Sequence, residues 1–461
     1  MSAPDPALLA AIFKAYDVRG VVGDQLDAPL VERIGAAFAA FALTDPETDG
    51  KVLIGRDMRP SGIELAAAFA RGVTGQGLDV IDLGLVSTDL LFYASGHYRA
   101  PGVTLTASHN PARYNGIKFC LAGARPVGED TGLDVIRQLT LEGLDPAPTT
   151  GTVSSREPLD DFVAHVHGFV DRSELRPLRV VADTANGMGG MVAPAVFADL
   201  PFELDLLYGE LDGTFPNHPA DPIQPENLVD LQARLRATGA DVGLAFDGDA
   251  DRVFLVDDQG ELVSGSTTTA IVAVELLRRY PGATILHNLI CSKAVPEVIR
   301  EHGGTPVRTR VGHSLIKAVM ADTGAAFGGE HSGHYYFRDN FRADSGIIAA
   351  LVVLDALSRL DVPLSQLRQP FERYVDSGEI NTTVGDPASV IEAAAAHYAD
   401  AAQDRLDGLT VDLGDWWFNL RPSNTEPLLR LNLEAPSRRE CDDHVAEVRQ
   451  LISDVDSRGT T

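Results

Sequence analysis

The chain has 461 residues, of which 44% are hydrophobic and 23% are charged, a composition typical of globular proteins. Its length favours about three domains and leaves a fourth open. The formal net charge of −28 argues against a nucleic-acid partner, because a phosphate backbone needs a basic surface. Three cysteines without a CxxC pair are typical of a reducing compartment. We therefore expect a cytoplasmic protein that binds no nucleic acid.

The apolar segments predict no membrane span and no targeting signal. The N-terminal segment lacks the basic region that precedes the apolar core of a signal peptide. The longest apolar stretch, residues 346–357, contains Asp355 and is far shorter than a membrane-spanning helix. We interpret it as a buried helix.

The first notable segment is FKAYDVRG, residues 13–20, which we expect to follow a short helix that Gly20 ends. Tyr16 and Arg19 lie there. Taken alone, they are as consistent with a surface turn as with a binding site.

A strand–helix–strand unit comes next. Residues 51–59 predict a strand that runs into a loop, residues 62–75 an Ala-rich helix, and residues 78–84 a second strand. This order implies parallel strands and a right-handed crossover. Residues 145–158 are rich in Pro, Thr and Ser and predict a linker between domains.

The hexapeptide TASHNP, residues 106–111, lies between two short predicted strands. Ser108 and His109 place a hydroxyl nucleophile and an imidazole on the loop. Lys118 places an ammonium group on the second strand, residues 117–119. The alternative is a polar turn whose side chains only satisfy backbone groups.

The strand–loop–helix pattern then recurs at intervals of roughly a hundred residues and predicts weak internal repeats. It recurs in residues 178–187 and 283–292, and residues 240–252 between them predict a buried strand that ends in three carboxylates. The C-terminal part differs, because a helix over 390–402 precedes two strands within 416–435 and a last helix near 439–453. This part predicts an antiparallel α+β domain.

FDGDADR, residues 246–252, puts three carboxylates at the end of an apolar strand, and Mg²⁺ prefers such oxygen ligands. They are Asp247, Asp249 and Asp251. An EF-hand loop is excluded, because Arg252 and Asp258 stand where it needs Gly and Glu. A haloacid-dehalogenase-type aspartate nucleophile stays a rival interpretation, and a solvated acidic turn is the plain alternative.

GGEHSGHYYF, residues 328–337, offers an acceptor, a hydroxyl and an imidazole between glycines, a set suited to sugar hydroxyls. These residues are Glu330, Ser332 and His334. Zinc bound by His331 and His334 is the alternative, with no Cys or further His at ligand spacing to support it. His313 follows a predicted strand upstream.

RPSNTEP, residues 421–427, combines a guanidinium fork with small donors in a turn, which is one way to hold a phosphate. Its candidate ligands are Arg421, Ser423, Asn424 and Thr425.

The four motifs follow one another across almost the whole chain, which resembles the phosphomannomutase/phosphoglucomutases of the α-D-phosphohexomutase superfamily. The resemblance implies three consecutive similar α/β domains with mixed sheets and a C-terminal α+β domain around a central cleft. The implied domains are residues 1–147, 155–257, 258–370 and 371–461. GEHSGH resembles the mannose/glucose group, since phosphoglucosamine mutases tend to carry Gln between the Glu and the Ser.

The resemblance also implies roles for the motif residues. Ser108 would carry a phosphate and, with the three aspartates, hold one Mg²⁺ ion. Lys118, His109 and His313 are candidate bases, while Arg19 and Arg252 would stabilise charge. The residues expected to bind the sugar phosphate are Tyr16, Glu330, Ser332, His334, Arg421, Ser423, Asn424 and Thr425.

The implied reaction interconverts hexose 1-phosphate and hexose 6-phosphate through a hexose 1,6-bisphosphate, which also serves as activator. The protein would act as a monomer or homodimer on small sugar phosphates. The lysine that family members often place after the third-domain strand is offset here to Lys293, so its role is not carried over. The rival functions are a phosphoglucosamine mutase, a dehalogenase-type phosphotransferase using Asp247, and a non-catalytic sugar-phosphate binder.

Overall fold

The structure is a computed structural model that describes residues 3–422 and 428–459, without the side chains of residues 313, 314, 458 and 459. The helices are α1 (Pro6–Ile12), α2 (Ala28–Ala42), α3 (Gly62–Gly75), α4 (Thr88–Tyr98), α5 (Leu133–Glu142), α6 (Leu159–His167), α7 (Gly189–Phe197), α8 (Val229–Thr238), α9 (Gly265–Arg279), α10 (Ala294–Glu301), α11 (His313–Thr323), α12 (Gly346–Leu360), α13 (Leu364–Leu367), α14 (Pro387–His397) and α15 (Arg438–Gly459).

The strands are β1 (Val18–Val21), β2 (Lys51–Arg56), β3 (Asp79–Leu85), β4 (Gly102–Leu105), β5 (Tyr114–Leu121), β6 (Arg125–Pro126), β7 (Val153–Ser155), β8 (Arg179–Asp183), β9 (Glu203–Leu207), β10 (Val242–Phe246), β11 (Val253–Val256), β12 (Leu262–Val263), β13 (Thr284–Asn288), β14 (Thr305–Thr309), β15 (Phe327–Gly329), β16 (Tyr335–Phe337), β17 (Val375–Asp376), β18 (Ile380–Thr383), β19 (Ala402–Asp404), β20 (Leu409–Asp412), β21 (Trp417–Pro422) and β22 (Leu428–Ala435).

The chain forms two compact units. Unit 1 comprises Met1–Ser264, Lys317–Phe327 and Ser332–Leu367, and unit 2 comprises Gly265–Ile316, Gly328–His331 and Arg368–Thr461. Unit 1 contains two mixed sheets. The first has the order β1-β5-β4-β2-β3-β7 with β6 paired to β5, and the second the order β12-β11-β10-β8-β9.

Unit 2 contains a six-stranded sheet of order β17-β22-β21-β20-β19, in which β18 also pairs with β22. Its strand pairs are all antiparallel. Helices α14 and α15 pack on this sheet and share its apolar core, as the predicted α+β domain requires.

The predicted repeats are present as three strand–helix–strand units, namely β2–α3–β3, β8–α7–β9 and β13–α10–β14. In each unit the two strands pair in parallel. The strands are apolar because helices and neighbouring strands cover them, and all five residues of β10 are buried. The polar loops that follow the strands are therefore set at the edges of the sheets.

The core of the first sheet includes three tilted aromatic rings, those of Phe38, Phe69 and Phe119. The predicted buried helix is α12, and thirteen of its fifteen residues, from Gly346 to Ser358, are buried. Among the described residues, none of the helices combines the length and the apolar character that crossing a membrane requires.

Two local predictions were wrong, and a third overlooked a strand. The linker predicted at residues 145–158 contains β7, which adds to the first sheet by pairing in parallel with β3. Gly20 does not end the first helix, because α1 ends at Ile12 and Gly20 pairs within β1. The helix predicted over 390–402 ends at His397, since Ala402 already belongs to β19.

Candidate active site

Ser108 lies in the loop between β4 and β5, which form an antiparallel pair. The residue is 3% exposed, and its φ of 48° lies in the left-handed region, which is uncommon for a residue other than glycine. Its backbone N–H donates to Thr106 Oγ1 at 2.9 Å, and its Oγ donates to Asp247 Oδ2 at 2.7 Å. The hydroxyl is thus held against a carboxylate that follows β10.

The three aspartates after β10 are buried together. One oxygen from each of Asp247, Asp249 and Asp251 lies within 4.8 Å of the others. Asp249 Oδ1 and Asp251 Oδ1 are buried and accept no hydrogen bond within the described part of the chain. Buried acceptors without a donor call for an ion or water, and clustered carboxylate oxygens suit Mg²⁺. The residues therefore fit a divalent metal ion.

Lys118 lies beside these carboxylates, with Nζ 2.7 Å from Asp249 Oδ2 and 2.6 Å from Asp251 Oδ2. Burial opposes the charge on Lys118, but the two carboxylates outweigh burial and raise the pKa of the ammonium group. In return, Lys118 overcomes burial and lowers the pKa of Asp249. Burial raises the pKa of Asp247 to about 7, and the charge of Arg252 offsets this only in part.

Arg252 connects two loops. They are the loop that follows β10, residues 247–252, called the metal loop below, and the loop between β4 and β5, residues 106–113, called the Ser108 loop. Arg252 Nε donates to Asp247 Oδ2 at 3.0 Å, and its Nη2 donates to His109 Nδ1 at 2.6 Å. Burial, together with the charges of Arg252 and Arg19, lowers the pKa of His109 to about 2. His109 is therefore a neutral hydrogen-bond acceptor here.

Arg19 reaches the same loop from β1. Its Nε donates to Asp17 Oδ2 at 2.8 Å, and its Nη1 donates to Asn110 Oδ1 at 2.5 Å. Tyr16 lies between α1 and β1 and is half-buried. The segment FKAYDVRG thus brings a guanidinium group to the Ser108 loop.

His334 is brought beside the metal loop by an isolated antiparallel bridge to Arg252. Its Nδ1 lies 2.8 Å from Asp344 Oδ2, and the other oxygen of Asp344 lies 3.1 Å from Lys317 Nζ. Lys317 is 2% exposed and lies over the ring of Phe92. A buried ion pair therefore orients the imidazole of His334. Ser332, two residues earlier, is half-buried.

In unit 2, Glu330 is 2% exposed, and its Oε1 accepts from Gly312 N at 3.3 Å and from Asn288 Nδ2 at 3.4 Å. His331 Nδ1 lies 3.4 Å from Ser266 Oγ. Among the residues that the structure describes, His331 belongs to no group of three candidate metal ligands, whereas His334 forms such a group with Asp251 and Asp344, so the two histidines of the zinc alternative are not grouped together.

Arg421 stands at the end of β21, with Nη2 3.4 Å from Glu379 Oε2 and Nη1 3.7 Å from Asp407 Oδ2. Lys293 Nζ forms an ion pair with Asp412 at 3.1 Å. The predicted phosphate ligands Ser423, Asn424 and Thr425 lie outside the described residues, and so does the side chain of His313.

The sequence patterns missed three buried residues near this site, namely Arg59, Lys317 and Asp344. For Arg59 a signal exists, because Asp57 and Arg59 follow the apolar strand in GRDMR, residues 55–59. For Lys317 and Asp344 there is none, since no local motif connects Lys317 to Asp344 or Asp344 to His334.

Four family models match the chain in order. They describe phosphoglucomutase/phosphomannomutase alpha/beta/alpha domain I over residues 10–143, domain II over 160–260, domain III over 264–374, and the C-terminal domain over 379–451.

Curated relatives cover nearly the whole chain. A phosphomannomutase of Salmonella typhimurium is 38% identical over 92% of this chain and 94% of its own length. A phosphomannomutase/phosphoglucomutase of Pseudomonas aeruginosa is 37% identical over 99% and 98%. The crystal structure of a phosphoglucomutase/phosphomannomutase family protein from Burkholderia thailandensis has a TM-score of 0.89 at 33% identity and covers 96% of this chain and 97% of that one.

Proposed function

Because the chain belongs to the phosphoglucomutase/phosphomannomutase family, we propose that it interconverts the 1-phosphate and 6-phosphate of mannose and, as a second substrate, of glucose. The chain is thus a mutase, which is an isomerase. The observation that carries the proposal is the 2.7 Å contact between Ser108 Oγ and Asp247 Oδ2, in a buried site with unsatisfied carboxylate oxygens.

The reaction consists of two phosphoryl transfers. In the first, the bond between phosphorus and Ser108 Oγ breaks, and phosphorus bonds to the free hydroxyl oxygen of the hexose monophosphate. The hydroxyl proton passes to a base, the departing Ser108 Oγ takes up a proton, and the product is a hexose 1,6-bisphosphate. In the second, Ser108 Oγ gives up its proton and bonds to the other phosphorus, whose bond to the sugar oxygen breaks, and that sugar oxygen takes up a proton. Added hexose 1,6-bisphosphate would activate the enzyme by phosphorylating Ser108.

Asp247, Asp249, Asp251 and the phosphate on Ser108 would hold one Mg²⁺ ion. When bound, the ion neutralises charge on the transferring phosphoryl group. Arg252 and Arg19 already lie at the Ser108 loop through Asp247 and Asn110, so their guanidinium groups would add positive charge at the reacting centre.

Lys118 is the favoured proton carrier. His109 is disfavoured, because its pKa is low and its Nδ1 already accepts from Arg252. In the structure Lys118 is an ammonium group between two carboxylates, so it must leave at least one of them to lose its proton. A cation on those carboxylates would favour that change, since it replaces the positive charge. His313 stays a second candidate base.

Glu330, Ser332 and His334 would hydrogen-bond the sugar hydroxyls, while Arg421, Ser423, Asn424 and Thr425 would hold the phosphate that does not react. Tyr16 would also contact the sugar phosphate. Separate sites for the sugar and for the phosphate that does not react agree with a bisphosphate that turns over between the two transfers, because one of its phosphates must be bound in each transfer.

We further propose domains at residues 1–147, 155–257, 258–370 and 371–461, each carrying one of the four motifs. The protein would act in the cytoplasm as a monomer or homodimer. Size-exclusion chromatography with light scattering distinguishes the two oligomeric states.

The decisive experiment measures turnover of mannose 1-phosphate and glucose 1-phosphate side by side, with Mg²⁺ and a hexose 1,6-bisphosphate present. Both should give the 6-phosphate, and Ser108→Ala should give neither. No turnover of either sugar by the wild-type chain would refute the proposal. Faster turnover of glucosamine 1-phosphate would instead support the phosphoglucosamine mutase alternative.

A further inference from the structure

Arg59 is a fully buried arginine whose five N–H groups all have acceptors. Its Nε donates to Asp57 Oδ2 at 3.2 Å. The other four donate to backbone carbonyls of the loop after β4 and of its end at the first residue of β5, with oxygens of Ser108, Asn110, Pro111 and Tyr114 at 2.9, 2.6, 3.0 and 3.0 Å. A single buried side chain thus satisfies carbonyls along the whole length of this partly exposed loop.

These carbonyls belong to the loop that carries the nucleophile. Ser108 has a left-handed φ of 48°, a conformation that surrounding contacts must maintain in a non-glycine residue. From the other side, Gly248 of the metal loop approaches so closely that a Cβ atom there would lie 2.4 Å from Ser108 O. The Ser108 carbonyl is therefore fixed between the metal loop and the guanidinium group of Arg59.

Residues that follow β9 pack onto Arg59 itself. The ring of Phe215 lies 5.0 Å from the guanidinium carbon, and a Cβ at Gly213 would lie 2.5 Å from the Arg59 Cα. Asp57 also accepts from the backbone N–H of Arg59 at 2.9 Å, so the arginine has little freedom to move.

We propose that Arg59 is a positioning residue of the mutase reaction, which sets the backbone of the Ser108 loop so that Oγ faces Asp247. This proposal rests on the proposed function. A planar guanidinium fork with four outward N–H groups can hold four carbonyls in fixed positions, whereas a lysine ammonium has only three donors on a flexible stem. Because Arg59 is fully buried, it would act through the loop and not by contact with the substrate.

The test compares Arg59→Lys with Arg33→Lys. Arg33 is a matched control, because its guanidinium group also holds backbone carbonyls, those of Thr140 and Leu141 in α5, which carries no site residue. Arg59→Lys should lower kcat about 10- to 100-fold, as expected for a misplaced reacting group. Its KM for both sugar phosphates should change less than about threefold, because the loop does not bind the sugar. Arg33→Lys should keep the wild-type kcat.

Thermal unfolding of both variants separates an effect on positioning from an effect on stability, since each variant loses a guanidinium group that donates to backbone carbonyls. A kcat of folded Arg59→Lys within about threefold of the wild type would overturn the proposal. The proposal would also be overturned if kcat fell in Arg59→Lys and in Arg33→Lys by the same amount for the same fall in melting temperature. If the wild-type chain shows no mutase turnover, the proposed function fails instead.

Phe215→Leu gives a second test if Arg59→Lys does not fold. Phe215 is half-buried, so the variant should fold, while the guanidinium group loses the ring above it. We expect kcat to fall about 3- to 10-fold without a change in KM. An unchanged kcat in this folded variant would overturn the proposal as well.

Discussion

Ser108 and Asp247 are 139 positions apart in the chain, yet 2.7 Å separates the Ser108 hydroxyl oxygen from Asp247 Oδ2. The contact puts two possible phosphate carriers side by side, a serine and an aspartate. A phosphoserine there would add roughly −1.5 to −2 charge beside three carboxylates. The neighbouring cations Arg252, Lys118 and Arg19, together with a bound metal ion, would balance that charge.

The first prediction is that Ser108 carries the phosphate. Mass spectrometry of peptides from the purified protein should place one phosphate on Ser108, and Ser108→Ala should carry none after incubation with hexose 1,6-bisphosphate. Asp247→Asn serves as the control and should still accept phosphate at Ser108, at a lower rate. A hydroxylamine-labile phosphate on Asp247 would support the dehalogenase-type reaction instead.

The second prediction concerns the aspartate triad as one metal site. Ligand binding to the folded state raises stability by mass action, by about 2.7 kcal/mol at a hundred times Kd. Mg²⁺ should therefore raise the melting temperature of the wild type, and EDTA should abolish turnover. In Asp249→Asn, Mg²⁺ should no longer raise the melting temperature, and EDTA should no longer change the residual turnover. Asp183→Asn, which changes a buried carboxylate outside the triad, should keep both responses. An undiminished Mg²⁺ response in Asp249→Asn would remove the triad from the metal site.

The third prediction assigns Glu330 to sugar hydroxyls that mannose and glucose share, since the two sugars differ only at C2. Glu330→Gln should lower kcat/KM about ten- to a hundredfold for both substrates, as expected for the loss of a hydrogen bond to a charged group. Glu297→Gln is the control, because Glu297 pairs with Arg373 and Tyr374 in the same unit. A large loss for only one sugar would mean that Glu330 reads C2.

The local parts of the fold were predictable because strands and helices follow from apolar periodicity within about ten residues. The helix predicted over residues 62–75 is α3, and the two strands predicted about RPSNTEP are β21 and β22. The strand β7 was not predictable, because Val153, Ser154 and Ser155 are all exposed at a sheet edge, where no burial pattern arises.

The same limit applies to the site. Ser108 and Asp247 each stand in a motif that is visible locally. The roles of Arg59 and Asp344 depend on partners that the fold supplies, such as the carbonyl of Ser108 or the ring of His334. No spacing rule connects such residues in a single sequence.

The fourth prediction is a pH dependence that arises from Asp89. Its oxygens accept from Ser87 and Ser345, yet burial outweighs these bonds and raises the pKa of Asp89 to about 7. The folded state then binds the proton more tightly than the unfolded state. This contribution to stability is complete below the ordinary pKa of an aspartate and is lost as the pH rises through 7.

Between pH 5 and pH 8, the free energy of unfolding should therefore fall further in the wild type than in Asp89→Asn, by up to about 3 kcal/mol. Denaturant titrations of both proteins at the two pH values measure the difference. Parallel pH profiles would show that Asp89 is ionised in the folded state throughout.

The last prediction concerns Arg421 as part of the clamp for the phosphate that does not react. The two nearest carboxylates lie 3.4 and 3.7 Å from its guanidinium nitrogens, longer than a direct charge-assisted bond, so its fork can still bind a phosphate. Either phosphate of the bisphosphate must occupy the clamp in turn. Arg421→Ala should therefore weaken 1-phosphate and 6-phosphate substrates alike, by about 1.5–3 kcal/mol or ten- to a hundredfold in kcat/KM.

Arg430→Ala is the matched control, because Arg430 on β22 is cross-strand to Arg421 and pairs with the same carboxylate, that of Glu379. It should leave the kinetics near the wild type. The phosphate on Ser108 should persist in Arg421→Ala, since the clamp does not touch the serine, and mass spectrometry checks this. Unchanged kinetics for both substrates in Arg421→Ala, or an equal loss in Arg430→Ala, would remove Arg421 from the clamp.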